Sequence, residues 1–220
     1  MKPLLIFSLT LLVGYSTNYL VAAKTPIDRL TIAQTNQLKD TLVIPGERVG
    51  PITKNTTRQE LTKLFGASRL QDKKIFGPEG IGQFPATRVN LGKERSFTIV
   101  WADEKRIKPA TIRDFGSAWK TPEGIGVGTS LEELTKKIGE FKLYGLAWDY
   151  SGTIVLENTK LSDYQGKLIL QVAPTPDAAE KHPRQYQAVM GDRTFSSSNP
   201  NWQPLEIKVQ QMIVYLDRSI

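Results

Sequence analysis

The sequence predicts an α+β protein of two tandem related modules, each a short capped helix packed on an antiparallel sheet. Three observations lead there. The stretch "TTRQELTKLFG" at 56–66 returns 73 residues later as "TSLEELTKKIG" at 129–139, identical at six of eleven positions. Both copies carry a Ser/Thr-x-x-Glu start and a glycine stop, the marks of a deliberately bounded helix. Each copy is followed by β-rich runs separated by Gly, Asn and Asp turn residues. The runs "SFTIVWA" at 96–102 and "KLILQVA" at 167–173 keep nearly the same offset as the helices. The repeated unit is therefore helix plus strands, and a twofold repeat this long reads as a duplicated domain rather than a solenoid.

Residues 1–23 have the layout of a secretory signal peptide: Lys2, an apolar core "PLLIFSLTLLVG", then Val21, Ala22 and Ala23 before an expected cut at Lys24. Residues 24–40 lack any period and read as a linker. The first module spans 41–115. It opens with a strand at 41–44 that Pro45-Gly46 ends. Thr57 caps the first helix and Glu60 closes its capping box. Leu61, Leu64 and Phe65 form its apolar face, and Gly66 ends it. Strands follow in "KIFG", at 87–91 and at 96–102, with one more near 110–115. The second module spans 116–220. Ser130, Glu133 and Gly139 repeat the helix devices, with Leu131, Leu134 and Ile138 as the apolar face. Strands are expected within 141–149, 152–158 and 167–173, with "DYSG" at 149–152 as a hairpin turn. Residues 174–204 read as a long loop, and 205–217 as a final strand. Helices of two to three turns are unstable alone, so each must lie on a sheet.

The chain has no cysteine, which excludes a lipid-bearing cysteine, disulfides and thiolate chemistry. The expected mature product of 197 residues must hold together by core packing and is long enough to do so. Its charge, +7 before and +6 after loss of Lys2, favours anionic surfaces, but acidic residues are interspersed. The densest basic run, "DKK" at 72–74, is too small for a nucleic-acid footprint.

Catalytic motifs are scarce. His182, the one histidine, lies in a polar stretch without a "GxSxG" elbow or a cysteine partner for zinc. The glycine-rich "GPEGIGQ" at 77–83 and "GIGVGTS" at 124–130 lack the Gly-Lys-Ser/Thr ending of a phosphate loop. The second ends at a helix start, where anions are favoured, although helix entry explains it equally well. "WADE" at 101–104 and "AWDY" at 147–150 each set a tryptophan beside an aspartate at a strand end. Trp101, Asp103, Trp148, Asp149 and Tyr150 are thus the candidate binding residues, because Trp and Tyr commonly anchor partners. The structural alternative is a core-capping tryptophan with an aspartate opening the turn. No catalytic residue, cofactor or metal is expected.

A short helix opened by Thr or Ser, closed by Gly and followed by antiparallel strands resembles a known superfamily. It holds the outer-membrane assembly lipoproteins of the SmpA/OmlA type and the secreted β-lactamase inhibitor proteins, which carry two such modules. Gly128, Ser130, Leu134 and Gly139 fit its motif, as do Thr57, Leu61 and Gly66. Asn55 replaces the first module's glycine, the usual Met before Thr is absent, and so is the lipid-bearing cysteine. The resemblance implies an exported α+β protein that works by binding.

The expected function is an exported, non-catalytic binding or scaffold protein of the cell envelope, secreted or periplasmic. Its expected partner is an envelope protein or an anionic cell-wall polymer, not nucleic acid, and the mature chain has no membrane span. The rival is a cell-wall polymer hydrolase using acidic residues near Trp101 and Trp148.

Overall fold

The computed structural model describes residues 39–77 and 80–217. The expected signal segment, 1–23, and nearly all of the linker, 24–40, lie outside the described residues. Three short strands, β1 (Val43–Ile44), β2 (Arg48–Val49) and β3 (Ile52–Thr53), form an antiparallel meander. Then come α1 (Arg58–Phe65), β4 (Leu70–Phe76), β5 (Gln83–Val89), β6 (Phe97–Trp101) and β7 (Pro109–Arg113). The second half supplies α2 (Leu131–Ile138), β8 (Lys142–Tyr144), β9 (Ile154–Val155) and β10 (Leu168–Ala173). It ends with α3 (Ala178–Lys181), α4 (Pro183–Ala188), β11 (Thr194–Ser196) and β12 (Lys208–Tyr215). The expected α+β class, helices with antiparallel sheets, is what the chain adopts.

Both repeated stretches are helices of eight residues with the same cap. The Glu60 amide donates to Thr57 Oγ1 at 3.2 Å while the Thr57 amide donates to Glu60 Oε2 at 2.7 Å. The Ser130–Glu133 pair repeats this at 3.2 and 2.9 Å. Those cap amides hold both glutamate carboxyls below their ordinary pKa. Gly66 and Gly139 end the helices at φ +83° and +86°, a region that disfavours any residue with a Cβ. Removing either cap hydroxyl, by Thr57→Ala or Ser130→Ala, should therefore cost about 1 kcal/mol. Matched losses in urea unfolding midpoints are expected, and a clear inequality would show that the two caps do different jobs.

The strands around the helices differ more than the helices do. One six-stranded antiparallel sheet runs β10-β12-β7-β6-β5-β4, so both halves share it through β7 and β12. The smaller sheet, β11-β8-β9, meets its edge by the single bridge Thr153–Gln171. Six-stranded pairing is regular except for bulges at Val100/Trp101 and Gln171/Val172. The segment 174–204, expected as loop, holds α3, α4, β11 and a 3₁₀ turn (Pro200–Leu205). Ala178, Val189 and Trp202 are buried there, so packing orders a stretch whose local sequence is polar.

Alternation along the strands decides what faces what. Phe97, Ile99, Ile112, Leu168, Leu170, Met212 and Val214 point to one face and join Leu61, Phe65, Leu134, Ile138 and Trp119 in one buried cluster. The helices therefore lie on that face, and the core is continuous across the two halves. Among the described residues no helix or second sheet is layered on the opposite face: its positions on β7, β10 and β12 are half-buried, while Ala86, Thr98 and Val100 in its middle are buried.

Candidate functional site

The five sequence-chosen residues separate. Trp101 is 0% exposed and belongs to the core cluster. Its indole N–H donates to Thr87 Oγ1 at 2.9 Å, so ring and polar edge are both committed to the covered side of the sheet. Its place as a binding residue is corrected for that reason: a partner has no access to it. Asp103 is exposed in the β6–β7 turn, where its Oδ1 accepts from the Lys105 amide at 2.9 Å. Trp148, Asp149 and Tyr150 stay together in the β8–β9 loop, all exposed. The hydrolase reading uses acidic residues near Trp101 and Trp148; of these, Asp103 lies in the β6–β7 hairpin loop and Asp149 in the β8–β9 loop.

The anion-site option at 124–130 meets a similar limit. The Gly124 amide donates to Thr121 O, Gly126 to Thr129 Oγ1 and Gly128 to Val209 O. Donors that would hold an anion are spent on shaping the entry to α2. Among the described residues there is no group of three or more His, Asp or Glu placed to hold a metal ion. Among them, too, no helix is long and apolar enough to cross a membrane.

The face of the six-stranded sheet opposite the helices, the open face, is a surface that packing among the described residues leaves unexplained. From the registers it carries Lys73 and Ile75 on β4, Phe84 and Arg88 on β5, and Thr98 and Val100 on β6. It continues through Thr111 and Arg113, Ile213 and Tyr215, then Ile169 and Gln171. Small Ala86, Thr98 and Val100 are shielded in the middle, where Arg88 reaches over to Thr98 Oγ1 at 3.4 Å and Asp114 O at 2.8 Å. Arg113 pairs with Asp114 at 3.2 Å at the rim. No strand position on this face is Asp or Glu.

At the β10 edge the surface passes onto the small sheet. Gln171 Nε2 donates to Thr153 Oγ1 at 3.2 Å, and the Tyr144 amide donates to Thr153 O at 2.9 Å. Leu143 is buried, so alternation turns Tyr144 outward, and its ring lies 5.2 Å from that of Tyr150. Tyr150, and with it the Trp148 loop, thus stands at the end of the open face. Sequence reading missed Arg88, Arg113, Ile169, Ile213, Tyr215 and Gln171. A signal for them existed in the half-buried alternation of β10 and β12, but not which of the two faces a layer would cover.

A second apolar group, which meets the open face at Phe84, sits at the hairpin ends: Phe76, Ile81, Phe84 and Ile107 are all exposed. Lys74 and Glu104 pair at 2.9 Å between the two hairpins, which the β5–β6 ladder holds side by side. Comparison of the chain with protein-family profiles, with curated proteins and with solved structures finds no match.

Proposed function

We propose that this chain is an exported, non-catalytic binding protein of the cell envelope, and that the open sheet face receives its partner. One observation carries the reading. An antiparallel sheet with one solvated face ordinarily turns polar side chains outward. Here the outward positions include Ile75, Phe84, Ile169, Ile213 and Tyr215, accompanied by Lys73, Arg88 and Arg113 and by no carboxylate. Apolar surface whose charged strand positions are all basic, with Asp114 as a carboxylate at the rim, suits a partner that is itself acidic. An envelope protein or an anionic cell-wall polymer meets that description. The proposal extends to the face's origin: two related modules, each ending in a strand, joined where β7 meets β12. Matching caps support this.

Photo-crosslinking residues placed at Ile213 and Phe84 should give one discrete adduct in intact envelopes, and the same residues at Lys54 and Lys63 should give none. Arg88→Glu with Arg113→Glu should weaken that adduct about tenfold or more, as reversing close interfacial charges does. Equal labelling on both sides of the molecule, or none at Ile213 and Phe84, would refute the reading.

A further inference from the structure

The β8–β9 end of the open face has a chemistry of its own. Residues 145–153 connect the two strands, and the loop is tightly fixed. The Ser151 amide donates to Trp148 O and the Thr153 amide to Tyr150 O, each at 2.8 Å. Ser151 Oγ accepts from the Ala147 amide at 3.1 Å. Gly152 presses so closely on β10 that a Cβ there would lie 2.0 Å from Val172 O. Ala147 at φ +71° and nearby Asp114 at φ +56° are left-handed without being glycine. For Ala147, which has no side chain to hydrogen-bond locally, that conformation is strained and is held by the loop's own hydrogen bonds.

The loop's effect is to hold two aromatic rings in water. Trp148 is 58% and Tyr150 60% exposed, whereas Trp101, Trp119 and Trp202 are at most 2% exposed. Ser151, the residue after Tyr150, lines a cavity of about 450 Å³ together with Asp114, Gln171, Gln210 and Gln211. Glutamine amides present both a donor and an acceptor without charge, and the aspartate adds an acceptor. A protein hot spot calls for a desolvated, well-packed pocket. Exposed rings on a loop whose Ser151 lines a cavity of three glutamine amides and one carboxylate call for a ligand with an apolar C–H face and a hydroxyl edge. The slightly positive C–H bonds of a pyranose ring fit the negative face of an aromatic ring, and its hydroxyls fit the amides.

We infer that this end of the face binds a polysaccharide strand, with Trp148 and Tyr150 as stacking surfaces and Gln171, Gln210 and Gln211 as hydroxyl partners. The inference deepens the binding reading and rests on it, since it names the partner class at one end of the same surface.

Because Trp148 is the one solvated tryptophan among the four, acrylamide quenching of the mature chain reports on it selectively. Cellohexaose and chitohexaose are the probes. At least one should protect Trp148 from quenching, and Tyr150→Ser and Gln171→Ala should each weaken that protection about tenfold, the usual effect of losing a binding anchor. Both side chains are surface-accessible, and an unchanged thermal transition checks that the variants fold. Protection indifferent to both substitutions would place the sugar elsewhere and overturn the inference. So would the absence of protection by either probe. If adducts at Ile213 and Phe84 persist in that case, only the saccharide assignment falls. If they vanish as well, the binding reading falls with it.

Discussion

Replacing Trp101 by alanine should destabilise the fold by about 3–5 kcal/mol, the range for truncating a large buried aromatic. The ring is wholly buried at the end of β6. Its loss would open a cavity in the core and also break a chain of hydrogen bonds. Trp101 Nε1 donates to Thr87 Oγ1 at 2.9 Å, and Thr87 Oγ1 donates to Asp72 Oδ1 at 2.6 Å. Asp72 accepts from Arg58 Nε at 2.8 Å and pairs with Arg106 at 3.3 Å. Burial alone would raise the Asp72 pKa, but the hydrogen bonds from Arg58 and Thr87, with the nearby guanidinium charges, outweigh it and hold the carboxyl below its ordinary value. A carboxyl depressed in the folded state contributes stability above its unfolded pKa and loses it as pH falls through the folded value. The comparison therefore belongs near neutral pH, where Asp72 is charged in both variant and parent. Trp148→Ala, made alongside, should change stability by no more than about 0.5 kcal/mol, as solvated side chains do. Urea midpoints that moved equally for the two tryptophans would contradict the assignment of one to the core and the other to the surface.

That contrast marks where sequence reading stops. "WADE" and "AWDY" look alike because both put Trp-x₀₋₁-Asp at a strand end. What separates them is distant in the chain. Trp101 belongs to a strand flanked on both sides, while Trp148 lies beyond β8 in a loop. The helices were legible to the residue because caps and glycine stops are local devices. α3 and α4 were not, since Asp177 and His182 make no side-chain cap bond and both helices depend on tertiary packing. The open face was half legible. Alternation in "LILQVA" separates Leu168, Leu170 and Val172 from Ile169 and Gln171, but whether a layer covers the second set depends on where the helices pack.

A fragment of residues 41–115 should not fold by itself, although the repeat in the sequence draws a module boundary at its end. The fragment would keep α1 and the β4-β5-β6-β7 meander, yet lose what closes them. Trp119, from the second half, stands edge-on to Phe97 at 5.0 Å and near Phe115 at 5.9 Å. Its indole N–H donates to Arg95 O at 2.9 Å. β7 would lose β12, leaving Ile112 without Val214 and Thr111 without Tyr215. Val43 would lose its backbone bond to Lys120 O at 2.8 Å, and β1 would lose its anchor to the body. A chain this short is marginal even with a complete core, because it buries only about 60–65% of its unfolded surface. Opening the Phe97–Trp119–Phe115 cluster to water removes several side chains that each contribute about 1.5–3 kcal/mol when buried. The isolated fragment should therefore give poorly dispersed amide resonances and no cooperative urea transition, and adding residues 116–217 in trans should restore both. A cooperative transition from 41–115 alone would mean that the meander closes on itself, and that the shared core is a later joining of two bodies, each able to stand apart.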